Sequence, residues 1–171
     1  MAELILYLGG AKSGKTALAQ ARAETFPAPR VYLATAQALD DEMAGRIRRH
    51  QGERGPDWST LEVPLDPDLA LAALPGSGPV LFDCLTLWLS NLLGEDPDPE
   101  RALARVRRLA RAARQYGGPV IIVSNEVGGG IVPENALARQ FRDLAGSANQ
   151  RLAAEADQVV LAVAGLELKL K

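Results

Sequence analysis

Eight residues near the start of the chain, GGAKSGKT (Gly9 to Thr16), follow an apolar run and have the spacing G-x-x-x-x-G-K-T. Each residue type has a reason in phosphate chemistry. Gly9, Gly10 and Gly14, with Ala11, Lys12 and Ser13 between them, let backbone N–H groups turn inward around phosphate oxygens. Lys15 brings a point charge to the β- and γ-phosphates, and Thr16 offers a hydroxyl to Mg²⁺. A helix starting here aims its positive end at the same anion. Phosphoryl transfer also needs a carboxylate at the end of a neighbouring strand to hold Mg²⁺ through water. Asp83, directly after the apolar VLF, is the candidate. It could instead cap a helix over LTLWLSNLL; the metal role is preferred and the cap stays open. Cys84, the only cysteine, reads as a small core residue, since no base stands beside it to activate a thiolate.

A second constellation is RIRRHQGER, Arg46 to Arg54, which holds the only histidine, His50. Arg46, Arg48, Arg49 and Arg54 could bind a triphosphate through bidentate hydrogen bonds. Like charges around the imidazole favour its neutral, nucleophilic form. The plainer reading is a solvated helix face carrying a surface histidine. The phosphate loop needs no histidine, so residue types alone leave both readings standing. A third stretch, VIIVSNEVGGGIVPEN, ends an apolar run in Ser124, Asn125 and Glu126 and opens into three glycines. Loops beyond the carboxyl ends of parallel strands collect ligands. This one reads equally as a ligand contact or as a connector capped by Asn135.

These residues need a frame. Apolar runs at Leu4–Leu8, Val31–Ala34, Val80–Phe82, Val120–Val123 and Val159–Val163 do not alternate, as expected of strands covered on both faces of a parallel sheet. Helical segments are expected over Thr16–Phe26, over Asp40–His50, which opens on acidic residues, and over Pro99–Gly117, with Leu103, Val106 and Ala110 on one stripe. The tail LELKLK alternates, with Leu166, Leu168 and Leu170 on one face. It reads as an antiparallel edge strand after a turn at Ala164–Gly165. The Pro/Gly-rich stretches Pro75–Pro79 and Gly94–Pro99 are too short for linkers. The expectation is therefore an α/β chain forming one domain over residues 1–171. It is a P-loop NTPase domain, RecA-like, with a mostly parallel sheet, helices on both faces and an antiparallel C-terminal edge strand.

Composition sets the outer bounds. The chain has 171 residues, 47% of them hydrophobic and 23% charged, with a net charge of −2. That balance is an ordinary soluble one and argues against general nucleic-acid binding, despite the arginines at 101, 105, 107, 108, 111 and 114. The N-terminal apolar run is too short for a membrane span and lacks the basic start of a signal peptide. One cysteine permits no internal disulfide, and the expected compartment is the cytoplasm.

Taken together, GGAKSGKT, YLATAQALDDEMAGRIRRHQGER, SNEVGGGIVPEN and LARQFRDLAGSANQRLAAEAD resemble the bifunctional adenosylcobinamide kinase/adenosylcobinamide-phosphate guanylyltransferases of cobalamin biosynthesis. The match runs over nearly the whole chain and is loose from Glu62 to Tyr116. The resemblance implies two reactions. The first phosphorylates the aminopropanol hydroxyl of adenosylcobinamide with ATP or GTP. The second moves GMP from GTP onto that phosphate through a GMP–histidine intermediate, giving adenosylcobinamide-GDP and pyrophosphate. The motif places that histidine on His50. The implied nucleotide contacts are Gly9 to Thr16, Ala34, Thr35, Ala36, Gln51, Gly52, Glu53, Arg54, Glu62 and Asp83, with Mg²⁺ on Thr16 and Asp83. A homotrimer is implied as well. Two other readings remain: a plain P-loop small-molecule kinase with His50 incidental, and a GTP-driven switch protein. The second lacks the base-specificity signature, Asn-Lys-x-Asp, that such switches carry.

Overall fold

The structure is a computed structural model and describes residues 3–37, 52 and 54–171. The helix expected over Asp40–His50 lies outside these residues. So do His50, Arg46, Arg48, Arg49, Gln51 and Glu53.

The strands are β1 (Leu4–Gly9), β2 (Arg30–Ala34), β3 (Trp58–Glu62), β4 (Val80–Asp83), β5 (Val120–Asn125), β6 (Gln158–Val163) and β7 (Leu166–Lys169). They form one sheet in the order β3-β2-β4-β5-β1-β6-β7. All pairings are parallel except β6 with β7, which is antiparallel. Between the strands run α1 (Lys15–Glu24), α2 (Pro67–Ala73), α3 (Leu85–Glu95), α4 (Pro99–Gln115) and α5 (Ala136–Glu155). The expected α/β architecture, its parallel core and its antiparallel last strand are all present.

The continuous apolar runs are explained by burial on both faces. Leu4, Leu6, Leu33, Val80, Phe82, Val120, Ile122 and Val159 face one layer, packed against Trp88, Val106, Leu144 and Ala148 of α3, α4 and α5. The alternate residues Ile5, Tyr7, Tyr32, Leu81, Ile121, Val123 and Val160 face Ala19 and Ala23 of α1. With a side-chain period of two and helices on each side, both parities must be apolar. In the larger layer Trp88 is fully buried, stands edge-on to Phe82 at 6.0 Å, and donates from Nε1 to the Leu65 carbonyl at 2.9 Å. The expected stripe of Leu103, Val106 and Ala110 is buried there too.

Two elements carry no strong sequence signal. β3, WSTLE, is an edge strand with mostly exposed or half-buried residues, so it has no apolar run. α2 is only seven residues long and starts with a proline at its first position. The reversal between β6 and β7 has Ala164 and Gly165 at φ 52° and 78°, the paired positive values of a tight hairpin turn. Leu166, Leu168 and Leu170 remain exposed within the single chain.

Asp157 ties three elements together at the edge where the parallel strands begin. Its Oδ2 accepts from the Leu4 N–H at 2.8 Å, and Arg114 Nη1 at the end of α4 donates to both carboxylate oxygens at 2.9 and 2.7 Å. The Leu4 N–H bond first, and Arg114 after it, hold this carboxyl below its ordinary range. A depressed folded-state pKa contributes stability that is present above the unfolded value, near 3.9, and lost as pH falls. Asp157→Asn is therefore expected to be less stable than the native chain in urea at about pH 6, with the gap closing towards about pH 3. An equal gap at both pH values would show that the charge at this position contributes nothing.

Candidate functional site

The parallel strands β1, β2, β3, β4 and β5 end at one edge of the sheet with Gly9, Ala34, Glu62, Asp83 and Asn125, and β6 runs the same way. The loop Gly10–Gly14 leaves β1 there and feeds straight into α1, whose first residues are Lys15 and Thr16. Lys12 and Gly14 have φ of 56° and 91°. This left-handed backbone leading into the right-handed helix makes successive N–H groups converge on an anion. The Lys15 side chain is buried and lies back over the loop, its Nζ donating to the Gly10 carbonyl at 3.1 Å. Thr16 is half-buried. Ser13 Oγ is buried with no hydrogen-bond partner among the described residues, a polar group in the cradle that a ligand oxygen would satisfy.

The loop is held from behind by the C-terminal hairpin. The Gly165 N–H donates to the Ser13 carbonyl at 2.9 Å, and the Glu126 N–H to the Gly9 carbonyl at 3.0 Å. A Cβ on Gly9 would stand 2.7 Å from the Ala162 carbonyl oxygen and against the Ser13 side chain. The motif spacing places Gly9 on the ligand side; close packing onto β6 is a second reason for a glycine here.

Asp83 ends β4 on the α1 side, because it lies two residues beyond Leu81, which faces α1. Its Oδ2 accepts a hydrogen bond from the Tyr32 hydroxyl at 2.7 Å. Burial first, then the Asp83 charge, pushes the Tyr32 phenol far above its ordinary value, so it remains a donor. The helix that follows, α3, has Cys84 at its N-cap position with no side-chain cap bond. The alternative role of Asp83 as that cap is not the arrangement found. Cys84 is buried in the α1-side core. Burial, followed by the adjacent Asp83 charge, raises its thiol to about 11, so it is the inert core residue the sequence indicated.

Thr35 was expected among the nucleotide contacts. It is fully buried, and its hydroxyl accepts from Cys84 N at 2.8 Å and donates to the Cys84 carbonyl at 3.0 Å. Its N–H donates to the Asp83 carbonyl at 3.1 Å, and its carbonyl accepts from Asn91 Nδ2 at 2.9 Å. Thr35 thus latches the ends of β2 and β4 side by side. Ala36 is half-buried just beyond it, Ala34 ends β2, Gly52 is exposed, and Glu62 is exposed at the end of the outermost strand. Arg54 lies across the Tyr32 ring, 3.7 Å from its centroid, and donates from Nη2 to Thr60 Oγ1 at 3.2 Å. Tyr32 was not singled out from sequence; its place two positions before Ala34 on an apolar strand looked like core alone.

At the end of β5, the Ser124 hydroxyl donates to Asn149 Oδ1 at 2.6 Å. Asn125 Nδ2 donates to Thr86 Oγ1 at 2.5 Å. The Glu126 carboxylate accepts from the N–H groups of Gly128 and Gly129, at 2.8 and 3.2 Å for its nearest contacts. Asn135 caps α5 through Ala138 N at 3.0 Å. The cap expected of a connector is present, and the loop also exposes Ile131 and Val132.

The donor set suits Mg²⁺. No group of three His, Cys, Asp or Glu occurs among the described residues. One carboxylate and one hydroxyl beside a phosphate cradle are the hard oxygen ligands with which Mg²⁺ is shared between protein and nucleotide.

A strand, a phosphate loop with its lysine folded back over it, a helix, and a carboxylate on the strand next but one define a P-loop nucleotide-binding protein. The fold agrees with that of a KaiC-like protein of Pyrococcus horikoshii OT3, with a TM-score of 0.53 over 93% of this chain and 70% of the other, at 13% identity. Residues 5–170 match the CobU family, cobinamide kinase / cobinamide phosphate guanyltransferase, and the chain belongs to that family. It is 44% identical to the bifunctional adenosylcobalamin biosynthesis protein CobU of Salmonella typhimurium, over 98% of this chain and 99% of that protein. It is 43% identical to the protein of the same name in Escherichia coli, again over 98% and 99%. Identity to the bifunctional adenosylcobalamin biosynthesis protein CobP of Pseudomonas aeruginosa is also 43%, over 97% and 96%.

Gly9→Ala is expected to cost about 1–3 kcal/mol, because the Ala162 carbonyl belongs to a paired strand and cannot move aside freely. The same loop is the expected phosphate cradle, so binding of a fluorescent GTP analogue should weaken with it. Gly10→Ala meets nothing within 4 Å and should fold like the native chain. Thermal midpoints of both variants, measured side by side, check this; a Gly9→Ala protein as stable as Gly10→Ala would contradict the close packing.

Proposed function

We propose that this chain phosphorylates the aminopropanol hydroxyl of adenosylcobinamide with ATP or GTP, and then transfers GMP from GTP to that phosphate through His50. The observation that carries the reading is the phosphate loop with Lys15 folded over it, in a chain that belongs to the cobinamide kinase / cobinamide phosphate guanyltransferase family over residues 5–170.

In the kinase step the loop N–H groups of Gly9 to Thr16 and the Lys15 ammonium hold the β- and γ-phosphates, so catalysis is positioning and charge stabilisation. Thr16 and Asp83 would hold Mg²⁺, which neutralises charge on the phosphate oxygens when bound. In the second step a neutral His50 nitrogen attacks the α-phosphorus of GTP. A P–N bond forms, the bond to the bridging oxygen breaks, and pyrophosphate leaves. A phosphate oxygen of adenosylcobinamide phosphate then attacks the same phosphorus and the P–N bond breaks, releasing adenosylcobinamide-GDP and free His50. Two transfers serve here because both GTP and the phosphorylated corrinoid are anions that repel one another in a direct encounter. Arg46, Arg49 and Arg54 offset charge on the five-coordinate phosphorus. The position of Arg54 supports this, since four residues after His50 the chain is anchored on Tyr32, beside Asp83.

The proposal extends to a cytoplasmic homotrimer. Among the described residues no helix is long and apolar enough to cross a membrane. The exposed apolar side chains of Val163, Leu166, Leu168 and Leu170 support association of copies.

The two activities should separate. His50→Ala is expected to lose guanylyl transfer and covalent labelling from [α-³²P]GTP while keeping most of its kinase activity; Lys15→Ala should lose the kinase activity by orders of magnitude. The native adduct should be a phosphoramidate, labile to acid and stable to alkali. Label retained in His50→Ala would move the nucleophile to another residue. A native chain that phosphorylates adenosylcobinamide but never becomes labelled would leave a plain kinase.

A further inference from the structure

We propose that Tyr32 is a positioning residue shared by the two halves of the site: its hydroxyl orients the Asp83 carboxylate, and its ring seats Arg54. This rests on the reading of Asp83 as the Mg²⁺ carboxylate and of Arg54 as a nucleotide contact.

The backbone brings the three together. Tyr32 pairs with Leu81 and Ala34 with Asp83 on the adjacent parallel strands β2 and β4. Tyr32 and Asp83 are therefore diagonal neighbours on the α1 face of the pleat, within reach of a long aromatic side chain. The ring is in the core, with 6% of the residue exposed, and packs edge-on to Trp58 at 6.4 Å. For that packing alone a phenylalanine would serve equally. The hydroxyl is what needs explaining, and among the described residues its one hydrogen bond is to Asp83 Oδ2, at 2.7 Å. With Oδ2 held, the carboxylate cannot rotate freely, and Oδ1 is left as its metal-side oxygen. Outer groups that hold a metal-binding carboxylate in this way tune affinity without touching the metal.

The face of the same ring serves the other half. The Arg54 guanidinium sits over the Tyr32 ring at 3.7 Å, with Thr60 fixing one end. A cation over an aromatic face is held in place without losing its donors to a carboxylate. No carboxylate is paired with Arg54 among the described residues.

Two substitutions separate the two roles. Tyr32→Phe keeps the ring and loses the hydroxyl; Tyr32→Leu loses both. Binding of a fluorescent GTP analogue to the full chain is measured against Mg²⁺ concentration and in EDTA, with Mn²⁺ binding followed by electron paramagnetic resonance. In Tyr32→Phe the metal midpoint should rise by about tenfold, the lower end for an outer-shell partner, while affinity in EDTA stays native. In Tyr32→Leu the affinity in EDTA should fall as well. Thermal midpoints confirm folding; Arg54→Ala replaces the leucine variant should that one unfold, and should weaken binding in EDTA likewise. Asp83→Asn is the reference. A native metal midpoint in Tyr32→Phe beside a shifted one in Asp83→Asn overturns the hydroxyl's role and leaves Asp83 standing. No shift in Asp83→Asn removes the metal reading of Asp83, and the proposal with it. Native affinity in EDTA for both Tyr32→Leu and Arg54→Ala overturns the role of the ring.

Discussion

The pleat of a sheet buried on both faces is the constraint on which the site depends. Side chains alternate with a period of two, so a strand that feeds two apolar layers has no freedom to choose which residue faces which helix. In β4, Val80 and Phe82 must face α3, α4 and α5, and Leu81 must face α1. The residue after Phe82 then inherits the α1 side, the side on which Lys15 and Thr16 begin their helix. Slipping β4 by one residue would bury Asp83 against Trp88 and turn Phe82 towards the phosphate loop. The carboxylate is thus held in place by the transfer energy of several large apolar side chains, each of order 1.5–3 kcal/mol when fully buried.

The same parity brings Tyr32 to that face from β2, and the latch at Thr35 fixes how far the two strands extend together. Four hydrogen bonds around Thr35, donated to the Asp83 and Cys84 carbonyls and accepted from Cys84 N and Asn91, occupy all of its polar groups. A buried threonine with its polar groups satisfied is rigid, and a half-satisfied one would be costly. On the opposite flank the Ala164–Gly165 turn supports the phosphate loop by a bond from Gly165 N to the Ser13 carbonyl. A Cβ on Gly14 would meet Gly165 Cα at 3.0 Å. The last hairpin therefore serves the first loop, although the two lie at opposite ends of the sequence.

Much of this was legible because it is written in local patterns. The five apolar runs are strands, LELKLK is the antiparallel edge, and GGAKSGKT joins a strand to a helix as its spacing requires. Asp83 stands out in the sequence because a carboxylate directly after an apolar run is a local signal. Tyr32 was not, since its chemistry comes from a partner 51 positions away and its own surroundings in sequence are those of a core residue. β3 escaped for a different reason. At the sheet edge only one flank is paired and neither face is fully covered, so the strand needs no apolar run. Thr35 shows a third case. Resemblance implied a nucleotide contact, and only the hydrogen bonds show its side chain turned into the protein.

The arginines explain how an acidic chain can handle anionic substrates. On α4 four of the six arginines are paired locally. Arg105 meets Asp66 at 2.6 Å, Arg108 meets Asp68 at 2.9 Å, Arg101 meets Asp96 and Arg114 meets Asp157, both at 2.7 Å. Pairs of this kind, mostly at the surface, contribute little stability each, but they reduce the field that a row of arginines projects. At the carboxyl edge of the sheet the arrangement differs. Lys12 stands exposed on the loop, Lys15 is turned onto a backbone carbonyl, and Arg54 is seated on an aromatic ring. Arg54 is held there by a ring and a hydroxyl, both neutral groups. The net charge of −2 is a sum over the whole chain, and at this edge these cations stand beside the carboxylates of Glu62, Asp83 and Glu126 that end or follow β3, β4 and β5.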